Sequence, residues 1–201
     1  MVRKLILIVA LAGLAAGCAK APPSVYYRID FPVERSALSR SELGLVLSVP
    51  EVRAPETMKR ANIIYRTSQR SLRHYQNLYW EQIPTEAAHR LLVDSLRAAK
   101  VFKRVTTRRL DVDEDLILYC YLTRFEQVDF PEGRLALVGM SYDLFQISSQ
   151  RIVLSSTTSA REEVAGGATA GVEGLAEAMS LALERCLARV VEDTAKAARA
   201  L

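Results

Sequence analysis

Apolar and polar positions divide this chain into segments with different periods. From Leu5 to Leu14 every residue is apolar or glycine, after the basic pair Arg3 and Lys4 and before the small residues Ala15, Ala16 and Gly17, which lead to Cys18. That layout is a secretory signal, because a transmembrane helix needs roughly 20 apolar residues to cross the hydrocarbon. Tyr26 to Phe31 then has strand composition and is stopped by Pro32, and Leu43 to Val49 is a second short apolar run ended by Pro50, since proline has no amide to give to a ladder. Asn62 to Thr67 and Ser71 to Tyr75 flank a polar Ser68-Gln69-Arg70 segment, which predicts a hairpin.

The period changes at Pro84. Ala88, Leu92, Leu96 and Ala99 recur three and four apart, with Leu91 and Ser95 beside them, and Pro84, Thr85 and Glu86 suit a helix start. Val101, Phe102 and Val105 read as a return into the sheet. Asp115 to Phe125 is apolar on both of its alternating faces, as a central strand is, and Leu135 to Ile147 and Arg151 to Ala160 follow after short connections. Three long strands joined by short turns predict an antiparallel meander. In the last segment Leu175, Met179, Ala182, Leu183, Cys186, Val190 and Val191 make one apolar stripe, with Glu177, Glu184, Arg185, Arg189 and Glu192 opposite. Gly166, Gly167, Gly171 and Gly174 before it read as a flexible loop, because the Walker spacing with its lysine is absent. The fold class predicted is α+β: an antiparallel or mixed β-sheet with two amphipathic helices packed on one face, in a single domain.

Length and charge narrow the function. Removing residues 1–17 leaves 184 of 201 residues, enough for one domain, so the organisation is a signal at 1–17, a proline-containing tether at 18–24 and the folded domain at 25–201. The signal carries two of the 27 basic residues and none of the 23 acidic ones, which leaves 25 against 23 and a mature surplus of +2. Such a balance in an exported protein argues against nucleic acid as a partner. Two local basic clusters stand out, Arg66, Arg70 and Arg73, then Lys103, Arg104, Arg108 and Arg109. They are solvated faces or contacts for anionic head groups or an acidic partner.

Small residues before a cysteine resemble the lipobox of bacterial lipoproteins, which implies cleavage before Cys18 and lipid attachment to it. The match is to the looser pattern, with Ala15 where leucine is favoured three places before the cysteine. Three acyl chains make attachment durable where one is marginal. Cys120 and Cys186 then remain, on an apolar strand and a helix stripe. They either pair as a disulfide, worth about 4 kcal/mol in the chain-entropy model, or stay as unbridged core thiols.

Catalytic chemistry is sparse. The two histidines, His74 and His89, lack HxxxH or HExxH spacing and have no cysteine within ligand reach in sequence, so no metal site and no cofactor is expected. No Gly-x-Ser-x-Gly elbow occurs. Asp111, Asp113, Glu114 and Asp115 lack the glycine and terminal glutamate of a cation loop and read as a solvated turn. The reading is a protein that binds or scaffolds and is not an enzyme.

Longer stretches carry a family resemblance. Val49-Pro50-Glu51-Val52-Arg53-Ala54-Pro55-Glu56, Ile63-Ile64-Tyr65-Arg66-Thr67, Tyr79-Trp80-Glu81-Gln82-Ile83-Pro84 and Arg90-Leu91-Leu92 are similar to the ABC-type transport auxiliary lipoprotein family. So are the opening Tyr26-Tyr27-Arg28-Ile29-Asp30 and the strand end Arg124-Phe125-Glu126. Thr57-Met58 and Tyr142 depart from the family's usual residues. The resemblance implies a non-catalytic accessory of a mammalian-cell-entry (MCE) lipid transport system. It would sit on the periplasmic face of the outer membrane and meet an MCE-domain protein and ABC transporter subunits, with a homo-oligomer also open. Tyr65, Arg66 and Trp80 are the residues expected at a partner, while for Trp80 an aromatic lid over the helix start is the competing role. The other function class is a stand-alone outer-membrane lipoprotein that assists peptidoglycan synthesis or lipopolysaccharide assembly; a hydrolase is a third.

Overall fold

A computed structural model describes residues 22–33, 42–68, 70–107, 114–131, 133–166 and 171–201. Its strands are β1 (Val25–Tyr27), β2 (Leu43–Ser48), β3 (Asn62–Ser68), β4 (Ser71–Trp80), β5 (Phe102–Thr106), β6 (Leu116–Phe130), β7 (Gly133–Gln146) and β8 (Arg151–Glu163), with helices α1 (Pro84–Ala98) and α2 (Val172–Arg199). All eight strands join one mixed sheet. The domain is α+β, as the pattern predicts.

The long, doubly apolar β6 is the axis of the sheet. On one side it pairs antiparallel with β7, and β7 with β8, which is the predicted meander. Its other side is shared. β2 runs parallel to its start, with Leu47 opposite Leu116, and β3 runs parallel to its far end, with Tyr65 opposite Gln127. A single bridge between Arg53 and Tyr121 lies between those two contacts. The chain from β2 to β3 therefore meets β6 three times and leaves it on either side of Arg53, where Pro50 and Pro55 cannot donate to a ladder. The sheet forks accordingly. β5 adds parallel to β2, while β4 and then β1 extend the β3 branch.

Both helices lie on one face and touch each other. α1 begins at Pro84, which supplies the preset φ of a first helical residue, and buries Ala87, Ala88, Leu91, Leu92 and Leu96. It stops where Lys100 takes a φ of 50°, the left-handed geometry of a helix end. α2 has 28 residues. It outruns the predicted stripe because Thr194, Ala195 and Ala198 keep the face buried, and Gly174, assigned to a loop from the sequence, lies within its first turn. The Tyr142 hydroxyl on β7 donates to Asp193 of α2 at 2.6 Å, and Arg185 of α2 pairs with Glu162 of β8 at 2.5 Å. These contacts fix the even-numbered positions of β7, and those of β8 from Leu154 on, toward the helices; a register shift between Leu144 and Phe145 turns Ile152 to the other face. Ile29 and Asp30 join the helix pair to the opening segment: the Asp30 amide donates to Ser180 at 3.2 Å, and Arg90 donates to the Ile29 carbonyl at 3.4 Å.

A bulge in β6 sets what the other face shows. The register to β7 slips between Leu122 and Arg124, so Tyr119 and Tyr121 before it share a face with Arg124, Glu126 and Val128 after it. Gly139 stands opposite this bulge, and a Cβ there would lie 2.8 Å from Thr123 Oγ1 and 3.4 Å from Arg124 Cβ. Gly139→Val is expected to destabilise the domain by about 1–3 kcal/mol through overpacking, read as a lower denaturant midpoint with an unchanged slope. An unchanged midpoint would show that the bulge absorbs a side chain freely.

Candidate functional site

Burial sorts the expected contact residues. Trp80, at the end of β4, is 1% exposed, and its ring meets Phe125 edge-on at a centroid distance of 5.7 Å. It is a core residue, which corrects its expected place at a partner: the indole packs against Phe125 of β6 inside the core. Tyr65 is half-buried, and its ring lies 4.7 Å from that of Tyr75, whose hydroxyl donates to Gln127 at 3.2 Å. Arg66, one residue on, points to the opposite face. Cys120 and Cys186 are buried and unbridged. Burial, and for Cys120 also the nearness of Cys186 and Asp143, pushes both thiols up to about 12, so they remain protonated at neutral pH. Cys18 lies outside the described residues, as do Asp111, Asp113, Arg108 and Arg109.

The helix-free face carries the polar geometry. Near the far end of β6 a groove of about 830 Å³ crosses four adjacent strands and is lined by Arg66, Arg124, Val128, Asp129, Leu135, Leu137 and Arg161, with Ser68 at its edge. At its centre is Glu126, whose side chain is only 2% exposed. Arg66 donates to its carboxylate from Nε and Nη2 at 3.1–3.3 Å, and Arg124 donates from Nη1 at 3.1 Å. The register places Leu137 between Glu126 on β6 and Arg161 on β8. Asp129 is engaged by Gln127 Nε2 at 2.5 Å and by Arg134 at 3.8 Å. One buried carboxylate thus holds two guanidiniums side by side, and a third stands across Leu137.

Toward the other end, the same face turns aromatic. Tyr119 and Tyr121 are 38% and 39% exposed, Ile152 is 58% exposed, and Phe145, Ser141 and Asp143 lie among them. The sequence reading selected none of these three exposed residues. For Tyr119 and Tyr121 the signal is present in the alternation from Asp115 to Phe125, where both faces are apolar.

The histidines stand apart. His74 lies on β4 beside Ile64 and Leu72, whereas His89 is on α1 near Glu51, where burial lowers its proton affinity. Among the described residues no group of three His, Cys, Asp or Glu side chains is placed to hold a metal ion.

The domain is thus a forked mixed sheet with two helices on one face and a partly apolar, exposed opposite face. The chain belongs to the ABC-type transport auxiliary lipoprotein component family, whose model matches residues 27–191. Membership makes it an envelope lipoprotein with an auxiliary part in transport. Two solved structures share the fold. Protein XCC0632 from Xanthomonas campestris has 19% sequence identity and a TM-score of 0.77, covering 87% of this chain and 97% of its own. The hypothetical protein CT253 from Chlamydia trachomatis has 8% identity and a TM-score of 0.56, covering 76% and 96%. No curated protein is similar enough in sequence to count as a match.

Proposed function

We propose that this chain is cut after Gly17, acylated at Cys18 and held on the periplasmic face of the outer membrane, where it serves as a non-catalytic accessory subunit for an MCE-domain protein and its ABC transporter. The observation that carries this reading is the family match over residues 27–191 directly after a segment that ends in small residues and Cys18. The start of the domain suits it. Pro22, Pro23 and Ser24 are exposed, and Asn77 of β4 donates to the Pro23 carbonyl at 3.3 Å, so the tether leaves from the β1–β4 edge. From that edge a lipid anchor leaves the helix-free sheet face free to meet a partner. Tyr119, Tyr121 and Ile152 supply amphipathic and apolar area for it, the residue types that carry binding energy at interfaces.

The test is photo-crosslinking in intact cells from a benzophenone residue at position 121 or 152. Adducts containing an MCE-domain protein or an ABC subunit are expected, with none from a benzophenone on the outer face of α2 at position 184. Adducts with peptidoglycan synthases or lipopolysaccharide assembly proteins alone would replace this reading by the stand-alone one.

A further inference from the structure

We propose that the groove bounded by Arg66, Arg124 and Arg161 is a phosphate-oxyanion site, with Val128, Leu135 and Leu137 forming a floor for the carbon attached to the phosphate. The inference does not depend on the docking partner, because it rests on the groove alone.

The first support is the set of cationic side chains that line it. Burying Glu126 among paired strands carries a desolvation cost that an apolar residue at the same position would not. What the carboxylate achieves is alignment, since it accepts from two guanidiniums at once. Arg161, on the far side of Leu137, adds a third cation and makes no ion pair among the described residues. The other carboxylate of the lining, Asp129, already faces Arg134 and Gln127. Arg124 and Arg161 therefore bring two cationic side chains to the open side of the groove, with Glu163 beside Leu135 at its end.

The second support is donor geometry. A guanidinium offers paired N–H groups in a planar fork that matches the oxygens of a phosphate, and Arg124 is 54% exposed, so its remaining donors reach solvent. Arg124 and Arg161 stem from β6 and β8, two strand spacings or about 10 Å apart, and can close on one anion from both sides. Between them β7 presents Gly139 and Leu137, a position without a side chain beside an apolar one. The volume of about 830 Å³ exceeds what an inorganic ion fills and leaves room for an ester's carbon chain over Val128, Leu135 and Leu137.

The third support is location. The groove centres on β6 and β7, strands paired on both sides whose backbone amides and carbonyls are consumed in their ladders, while the free edge of the sheet lies beyond it on the outer side of β8. An acidic peptide laid there would find no strand edge to extend. A phosphate needs only the side chains that are present.

The experiment uses the full acylated chain in uncharged maltoside micelles, with arginine side-chain Nε–Hε resonances and calorimetry as readouts. Three phosphate probes are titrated: inorganic phosphate, soluble glycerophosphoglycerol, and a short-chain phosphatidylglycerol doped into the micelles; a hexaglutamate peptide is titrated beside them as the acidic control. Arg124→Gln and Arg161→Gln are compared with Arg151→Gln, at the opposite end of β8. Arg161→Gln breaks no ion pair among the described residues and Arg124→Gln leaves the Arg66–Glu126 pair, so both variants should keep the melting temperature.

Each is expected to weaken phosphate binding at least about tenfold, the consequence of losing a charged hydrogen bond, while Arg151→Gln binds as the parent does. Tighter binding of the phospholipid than of the two soluble probes, with the same variant sensitivity, supports the site and makes a lipid head group its source. Equal binding of all three supports it with free phosphate as the source. No binding by any probe overturns the proposal, as does binding indifferent to both variants, or variant-sensitive binding of a hexaglutamate peptide without any of phosphate.

Discussion

Cys18→Ala is expected to move essentially all of the protein out of the membrane fraction. The physical argument starts from what else could hold it there. No helix among the described residues is long and apolar enough to cross a membrane, and α2, the longest, uses its apolar stripe against the sheet. The proposed anchor therefore supplies the membrane affinity. Each buried methylene contributes about 0.8 kcal/mol, so three acyl chains hold durably where one does not. Removing the thiol removes the acceptor for the first chain and the signal for cleavage. The retained leader, which in the variant is apolar or glycine from Leu5 to Ala19 and ends at Lys20, is still shorter than the roughly 20 apolar residues a spanning helix needs. Fractionation with intact-mass measurement reads the result: wild-type protein should carry the mass of three acyl chains on a Cys18 N-terminus, and the variant should be soluble with its leader uncut. A Cys18→Ala protein that sediments with membranes at the wild-type level would overturn the anchoring proposal.

Trp80→Ala should cost about 3–5 kcal/mol of folding stability, the range for removing a large aromatic from a well-packed core. That is a large share of the roughly 5–15 kcal/mol available to a typical domain. The indole is fully enclosed and lies edge-on to Phe125, which is itself 1% exposed. Its loss leaves a cavity beside Phe125 of β6 that rigid strands cannot close. At about 2–4 °C per kcal/mol for a domain of this size, the melting temperature should fall by roughly 6–20 °C. Far-UV circular dichroism is the suitable probe, because Trp80 is the only tryptophan. The neighbouring Tyr79 stacks on Tyr26 at 5.5 Å near the sheet edge, and Tyr79→Ala should cost far less. Equal losses from the two substitutions would show that Trp80 is not the core anchor its burial indicates.

The contrast between these neighbours shows where sequence reading stops. Trp80 and Tyr79 are both aromatic residues ahead of Pro84, and in a strand one must face inward and the other outward; alternation says so without saying which. Only β4's place in the β3 branch, with β6 beyond it, decides that position 80 points to the helices. Arg66 and Tyr65 divide in the same way. Their selection from the sequence was half informative, since Arg66 reaches the Glu126 network while Tyr65 packs on Tyr75.

What the sequence determined by itself is local and periodic. The proline at position 84 and the apolar spacing after it dictate α1, the long stripe from Leu175 dictates α2, and the alternation from Asp115 onward dictates a meander, because each depends on side-chain spacing within one segment. The tertiary structure decided what depends on pairing between distant segments. Parallel pairing of β2 and β3 along opposite ends of β6 has no signature within any of the three strands. The bulge at Thr123 is one extra residue in an otherwise unbroken pattern, yet it reverses the parity of everything after it. By that reversal Arg124 and Glu126 come to the helix-free face beside Arg66 and Arg161. The groove exists because four strands agree in register, a global condition that no single stretch of residues encodes.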